Sequence, residues 1–331
     1  MSFGIARRRL VAAASAAFAL GLVGRARDAF AQAGTYPDRL IKVIVPYPPA
    51  ALTDALGRLF AESLRVSFGQ PVVVENRAGA GTLLGAAVVA KGPADGYQLL
   101  IATSTTLAIS PAMFASPPAL PTDFTGVAMI GSVSLLLVTR PDLKVTSLTE
   151  LVALIRREPG RYTFGSPGNG TMHQLIVEMI KGQEKLVATH VPYQGSSAAL
   201  GDLMSGRIDF MFLDVVAALP QVKAGKLTAI AVAAAQRLSA LPGLSTVAET
   251  YPAIDVQAWQ SVVAPKGTPD AVVQKLNAEA NRQLNDPEVR KSLQAIGVIA
   301  NPMSTASLNE LIARDAKRFG DLVRTLGLRA T

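Results

Sequence analysis

Three stretches of this 331-residue chain carry residue types suited to holding an anion, and each sits where an apolar run gives way to helical spacing. The first is Val45-Pro46-Tyr47-Pro48-Pro49-Ala50-Ala51-Leu52-Thr53-Asp54. Its prolines stiffen the turn, Thr53 or Asp54 is the expected cap of the helix that follows, and Tyr47 would help to form a cleft wall. The second is Gly165-Ser166-Pro167-Gly168-Asn169-Gly170-Thr171, between a strand at 162–164 and a helix from Thr171 onward. Its glycines let the backbone approach a bound group, and a helix N-terminus offers unpaired N–H groups at the positive end of a dipole. Physically this is a cradle for a carboxylate or phosphate. The third is His190-Val191-Pro192-Tyr193-Gln194-Gly195-Ser196-Ser197. Tyr193, Ser196 and Ser197 are possible donors, and Gly195 allows close approach. A rigid turn in the first stretch, and a plain helix cap by Ser196 or Ser197 in the third, explain the same residues without a ligand.

Other chemistries fit poorly. Gly165 to Gly170 has P-loop spacing, but Thr171 stands where lysine is required, which argues against nucleoside triphosphates. Gly79-Ala80-Gly81-Thr82-Leu83-Leu84-Gly85 misses the dinucleotide spacing by one residue and reads as a helix-initiating turn. The two histidines are His173, close enough to Gly170 to line the same cleft or lie on the surface, and His190. No histidine–carboxylate set has metal-ligand spacing, and there is no G-x-S-x-G elbow. Asp54, Asp95, Asp209 and Asp214 stand isolated, as caps or solvated residues rather than general acids. Cysteine is absent, which removes disulfides, thiolate metal sites, cysteine nucleophiles and an acylated cysteine anchor. No metal or cofactor is expected, and no catalysis.

The elements that must position these loops are legible as short strands at 41–45, 72–74, 99–102, 135–138, 189–191 and 229–232. They alternate with helical spacing at 53–68 and 197–205. That alternation predicts an α/β fold with parallel sheets, in which ligands sit at the carboxyl ends of strands. Near the C-terminus, Thr268-Pro269 reads as a cap and first helical position, for a segment running past Pro287 to Gly297. A last helix carries Leu308, Leu311, Ile312, Phe319, Leu322, Val323 and Leu326 on one stripe.

Arg7-Arg8-Arg9, an apolar run at 10–23 and small residues around Ala31 have the layout of a cleaved secretory signal, by either the general or the twin-arginine route. The apolar run, about 14 residues, is short for a membrane span. The remaining chain of about 300 residues exceeds what one core usually serves, so two domains joined by a hinge are expected. Half the residues are apolar and 17% charged, which suits a packed globular protein. Of the net charge of +8, five arginines and one aspartate before residue 31 carry +4. The rest is scattered among acids without a basic stripe, which argues against nucleic acid. An exported chain with no lipid anchor is useful where an outer membrane confines it, so the periplasm is the expected location.

Taken in order, the motifs resemble the extracytoplasmic solute receptors of the tripartite tricarboxylate transporter family, the Bug proteins. The resemblance runs from Tyr36-Pro37 through Val74-Glu75-Asn76-Arg77-Ala78-Gly79-Ala80-Gly81, Asp95-Gly96-Tyr97 and Ile109-Ser110-Pro111. It continues through the glycine-rich and Pro-Tyr loops, Leu219-Pro220, Lys223-Ala224-Gly225-Lys226-Leu227, Leu241-Pro242-Gly243, Thr246-Val247-Ala248-Glu249 and Ala264-Pro265-Lys266-Gly267-Thr268-Pro269.

The resemblance implies a two-domain periplasmic-binding-protein fold of the Venus-flytrap, type II-like kind, with mixed, mostly parallel sheets. A signal peptide would occupy 1–31, a discontinuous first domain 34–134 with 258–331, and an inserted second domain 135–257, with the cleft between them. It implies a monomeric periplasmic receptor that captures a small carboxylate by domain closure. The ligand would be a di- or tricarboxylate, an acidic amino acid or an aromatic acid, delivered to transporter membrane subunits. A ligand-sensing subunit, or an exported hydrolase using Ser166 or Tyr193, are the alternatives. Carried onto this chain, the ligand-binding positions are Tyr47, Pro48, Pro49, Ala50, Ala51, Thr53, Asp54, Ser104, Thr105, Ser166, Gly168, Asn169, Gly170 and Thr171. His173, Tyr193, Gly195, Ser196, Ser197 and Asp214 complete the set. Two departures bear on the ligand: Ala50-Ala51 replaces the family's usual Gly-Gly, and Leu213 stands where an aspartate is common, with Asp214 one place later. A one-residue slip on a strand reverses a side chain's direction.

Overall fold

Strand β1 (Ile41–Val45) buries four of its five residues completely, as a run flanked on both sides by other strands must. A computed structural model describes residues 36–329 of the chain, so the signal-peptide expectation lies outside the described residues. Leu40–Thr331 cluster as one unit.

Two sheets organise this unit. The first has the order β11-β4-β10-β3-β1-β2, with β2 (Val72–Asn76), β3 (Gln98–Thr103), β4 (Phe124–Val133), β10 (Ala258–Pro265) and β11 (Val298–Ala300). The second has the order β7-β6-β8-β5-β9, with β5 (Leu135–Thr139), β6 (Thr163–Ser166), β7 (Thr189–Pro192), β8 (Phe210–Asp214) and β9 (Thr228–Ala233). The chain thus leaves the first sheet between β4 and β5, builds the second, and returns through β10, which inserts between β3 and β4.

Both sheets are mixed, but among the described residues only four of the nine strand pairings are parallel, fewer than the sequence pattern suggests. The antiparallel pairings centre on β10, β4 and β5. A continuous apolar run reports burial on both faces and is silent on direction. Each sheet packs its own core. Ile44, Leu100, Phe124, Met129, Trp259 and Leu308 meet in one, and Leu136, Leu203, Met211, Leu213 and Val232 in the other. Burying each large side chain stabilises by about 1.5–3 kcal/mol.

The helices that matter for the site are α1 (Leu52–Phe68), α4 (Met172–Glu184), α5 (Ser196–Met204) and α6 (Val215–Lys223). Between them come α2 (Leu83–Ala90) and α3 (Leu148–Arg157), and after them α7 (Asp270–Leu284), α8 (Pro287–Ala295) and α9 (Thr305–Thr325). Three boundaries correct the sequence reading. Ala51, and not Thr53 or Asp54, occupies the cap of α1. Helix α7 starts at Asp270 after Pro269, while Thr268 donates to the Pro265 carbonyl at 2.8 Å. The segment beyond Pro287 is a separate helix, because Asp286 accepts from the Glu288 and Val289 N–H groups and starts α8 afresh.

Candidate functional site

Helix α1 follows β1, α4 follows β6, α5 follows β7 and α6 follows β8, so four helix N-termini lie at carboxyl ends of strands. Their first turns converge on one cavity of about 240 Å³. Tyr47 through Thr53, Thr103 through Thr105, Val133 and Ala258 through Gln260 form one wall, carried by the first sheet. Leu135, Pro167, Met172, His173, Gln194 through Ser197, Asp214, Val216 and Ala217 form the other, carried by the second. Among the described residues, no lysine or arginine lines the cavity. A larger depression of about 630 Å³ lies against α9, between Asp255, Glu310, Arg314, Asp315 and Arg318. None of the loops identified from sequence reaches it, so size alone does not mark the site.

The proline loop is held by its own network. Asp54 accepts from the Ala50 N–H at 3.0 Å, Arg58 Nε at 3.0 Å and Asn76 Nδ2 at 2.8 Å. Asn76 Nδ2 also donates to the Tyr47 carbonyl at 3.0 Å. Burial alone would raise the Asp54 carboxyl, but the bonds from Arg58, Asn76 and Ala50 outweigh it and hold the group below its ordinary range. This network keeps Ala50 at φ 64°, in the left-handed region that a glycine would take without strain. Ala51 has an ordinary φ of −71°, so the cost of the Ala-Ala replacement falls on Ala50. Tyr47 Oη lies 3.1 Å from Thr103 Oγ1, and burial pushes its phenol up to about 12, so it serves as a neutral donor or acceptor.

The two walls touch directly. Thr105 Oγ1 accepts from the Met172 N–H at 3.2 Å, so a hydroxyl beside the first sheet meets the opening of α4 beside the second. Thr105 begins a short π-helical turn, Thr105–Ile109, a rare geometry that tends to occur at functional sites.

Of the positions expected from sequence, Tyr47, Pro48, Pro49, Ala50, Ala51, Thr53, Ser104, Thr105, His173, Gly195, Ser196, Ser197 and Asp214 line the cavity. Asp54, Ser166, Gly168, Asn169, Gly170, Thr171 and Tyr193 are set back from it, for identifiable reasons. Thr171 caps α4 by accepting from Gln174 N–H and donates to the Gly168 carbonyl at 2.9 Å. The Gly170 N–H donates to Gln174 Oε1 at 2.8 Å, and Tyr193 Oη to Asp202 at 2.8 Å. Ser166 is fully buried, donates to the Gly168 carbonyl at 2.9 Å and lies 2.7 Å from His190 Nε2.

That serine–histidine contact is not arranged as a nucleophile pair. No surface opens onto Ser166, and the His190 ring stacks on Phe164 at 4.8 Å. Burial and then the Lys181 ammonium hold its pKa down at about 4, whereas a catalytic histidine needs an orienting carboxylate. A pH dependence follows. Unfolding returns His190 to its ordinary value near 6.5, so the unfolded chain takes up a proton first as pH falls. Native stability then drops between about pH 6.5 and about pH 4 and levels off below. Allowing for partial exposure of the ring, His190 should account for about 1 kcal/mol of that loss. Urea titrations at about pH 7 and about pH 4.5 should show this component in the wild type and not in His190→Gln.

Asp214 resolves its register question by ending β8 where the chain turns into α6, so its carboxylate reaches the cavity despite the one-residue displacement. Its Oδ1 lies 3.8 Å from His173 Nε2, and both ring nitrogens of His173 are buried without a protein hydrogen-bond partner. Sequence reasoning missed Trp259 and Gln260, which enter on β10 from the distant C-terminal segment. The polar pair Gln260-Ser261 within a mostly apolar strand was the available signal. Val216 and Ala217 were missed as well, although they follow Asp214 directly.

The sequence model of the family described as "Tripartite tricarboxylate transporter family receptor" matches residues 56–328. Protein BugT of Bordetella pertussis is 37% identical over 303 residues, covering 90% of this chain and 92% of that protein. Among solved structures, R. palustris Rpa4515 with adipate is similar with a TM-score of 0.84 at 32% identity, covering 89% of this chain and 99% of that one. MatC from Rhodopseudomonas palustris with bound malate gives 0.80 at 30% identity, covering 87% and 100%.

Proposed function

Because this chain belongs to the tripartite tricarboxylate transporter receptor family, we propose that it is a periplasmic solute-binding receptor for a small carboxylate, which it hands to transporter membrane subunits. The observation that carries the reading is the meeting of four helix N-termini at a cavity without lysine or arginine among the described residues. Neutral main-chain donors can hold a carboxylate there without burying a fixed cation, each charge-assisted bond contributing roughly 1.5–3 kcal/mol. Relatives solved with adipate and with malate support the choice of a carboxylate.

Residues 34–134 with 258–331 would form one lobe and 135–257 the other, and the walls of the cavity come from both sheets. A bound ligand therefore stabilises the closed arrangement, and closure is what the membrane subunits would read. The inaccessibility of Ser166 speaks against the exported-hydrolase alternative. No helix among the described residues is long and apolar enough to cross a membrane.

Trp259 is the sole tryptophan and lines the cavity, so it reports occupancy without a label. The chain lacking residues 1–31, stripped of carried-over ligand by unfolding and refolding, should give saturable, stoichiometric heat with at least one small organic acid. The same titration should change the Trp259 emission. A panel of di- and tricarboxylates, amino acids and aromatic acids that produces neither signal would overturn the assignment.

A further inference from the structure

Five described residues other than glycine hold left-handed backbone, and among them Ala50 alone lines the cavity. Its methyl disfavours that conformation by roughly 5- to 30-fold in population, so it persists only where the surroundings over-determine it. That control traces back to Asn76. The Ala50 N–H ends on Asp54 Oδ2, and Asp54 Oδ1 ends on Asn76 Nδ2. The same Nδ2 holds the Tyr47 carbonyl, further back in the proline loop. Arg58 Nη2 donates to Asn76 Oδ1 at 3.3 Å and fixes which way the amide faces. One side chain thus grips the loop twice, directly at Tyr47 and through Asp54 at Ala50.

The sheet does not need this side chain. Asn76 ends β2, where the main chain already closes the strand through the Arg77 N–H and the Val45 carbonyl at 2.8 Å. No residue of β2 lines the cavity. We propose that Asn76 is a positioning residue for ligand capture: it holds Tyr47 and Ala50 in the arrangement that forms the cavity wall, without touching the ligand itself. This chain depends on it because position 50 carries a methyl. Without the Asn76 amide, Ala50 relaxes out of the left-handed region and the wall deforms. Glycine at that position removes the drive to relax. The two positions must therefore be coupled, whereas a residue that only supports the fold would act independently of Ala50.

The test compares wild type, Asn76→Ala, Ala50→Gly and the double variant in two ways, of which only the first rests on the reading of the cavity as a carboxylate site. Calorimetry with succinate, malate, glutarate and adipate should find Asn76→Ala about tenfold weaker than wild type for each acid that binds. Ala50→Gly should raise affinity at least about threefold more in the Asn76→Ala background than in wild type. Hydrogen exchange on the ligand-free chain, corrected for intrinsic rates, should show the amide of residue 50 opening about tenfold faster in Asn76→Ala and returning toward wild type in the double variant. Should Asn76→Ala fail to fold, Asn76→Ser, too short to reach Tyr47 and Asp54 together, takes its place in both arms. Unchanged affinity in Asn76→Ala, or the same effect of Ala50→Gly in both backgrounds, overturns the inference and leaves a working receptor. If none of these acids binds wild type, the carboxylate reading fails while the exchange arm still decides the role of Asn76: faster opening that glycine reverses supports it, and an unmoved rate overturns it.

Discussion

Ser196→Asp should weaken ligand binding by more than about tenfold while leaving the protein slightly more stable than before. Ser196 is the first residue of α5, lines the cavity, and follows Gly195, which supplies no side-chain cap. An aspartate there puts a fixed carboxylate where the ligand's own is proposed to sit. Two like charges 4 Å apart repel by about 4 kcal/mol at an effective dielectric of about 20, roughly a thousandfold in Kd. Even if water halves that energy, the loss is more than tenfold. The same aspartate sits at the positive end of the α5 dipole and should stabilise the helix by about 0.3–1 kcal/mol. Binding and folding therefore move in opposite directions, which a damaged protein cannot mimic. Ser196→Ala should cost little, because main-chain N–H groups and not the hydroxyl carry most of the attraction. Titration calorimetry with thermal unfolding on the two variants decides the matter. Ser196→Asp binding within about threefold of wild type would move the carboxylate away from α5.

The contrast between what was legible and what was hidden follows from how local each signal is. The strand-to-helix junctions at Tyr47, Pro167 and Gly195 are written in prolines, glycines and apolar runs a few residues apart, and they border the cavity, whereas the junction at Asp214 was reached through the family resemblance alone. Which side chain at each junction faces the cavity was not legible. Thr171 and Ser196 look alike in sequence, both polar and both at the start of a helix. Thr171 caps α4 and also bonds Gly168, whereas Ser196 sits one place past its cap and faces the open space. Tyr193 promised a donor, but the Asp202 carboxylate on α5 claims its hydroxyl, and Gln194 faces the cavity instead. The least legible part was β10. Its insertion between β3 and β4 brings Trp259 and Gln260 to the site, and that pairing is set by the packing of the whole first sheet.

The same contrast explains the second large effect, at a glycine set back from the cavity. Gly170 adopts φ +78°, and a Cβ there would lie 2.7 Å from Met113 Sδ and 3.0 Å from Ser110 Oγ. Met113 and Ser110 belong to a helical turn that follows β3, while Gly170 leads into α4 beside β6, so this contact joins the structure around one sheet to that around the other. A valine would meet two costs, a β-branched residue in left-handed backbone and an overfilled contact, together about 3 kcal/mol. The chain can relieve both by letting the two sides part, since each sheet keeps its own apolar core. Gly170→Val should therefore lose roughly a hundredfold in ligand affinity, with a smaller loss of thermal stability than a core substitution of equal energy would cause. Gly243→Ala, where a Cβ meets nothing within 4 Å, is the neutral comparison. Because the steric part of the cost runs through the Met113 sulfur, Met113→Ala in the Gly170→Val background should recover part of the affinity, a coupling that two independent lesions would not show. Wild-type affinity in Gly170→Val would mean that ligand capture does not depend on bringing these two surfaces together.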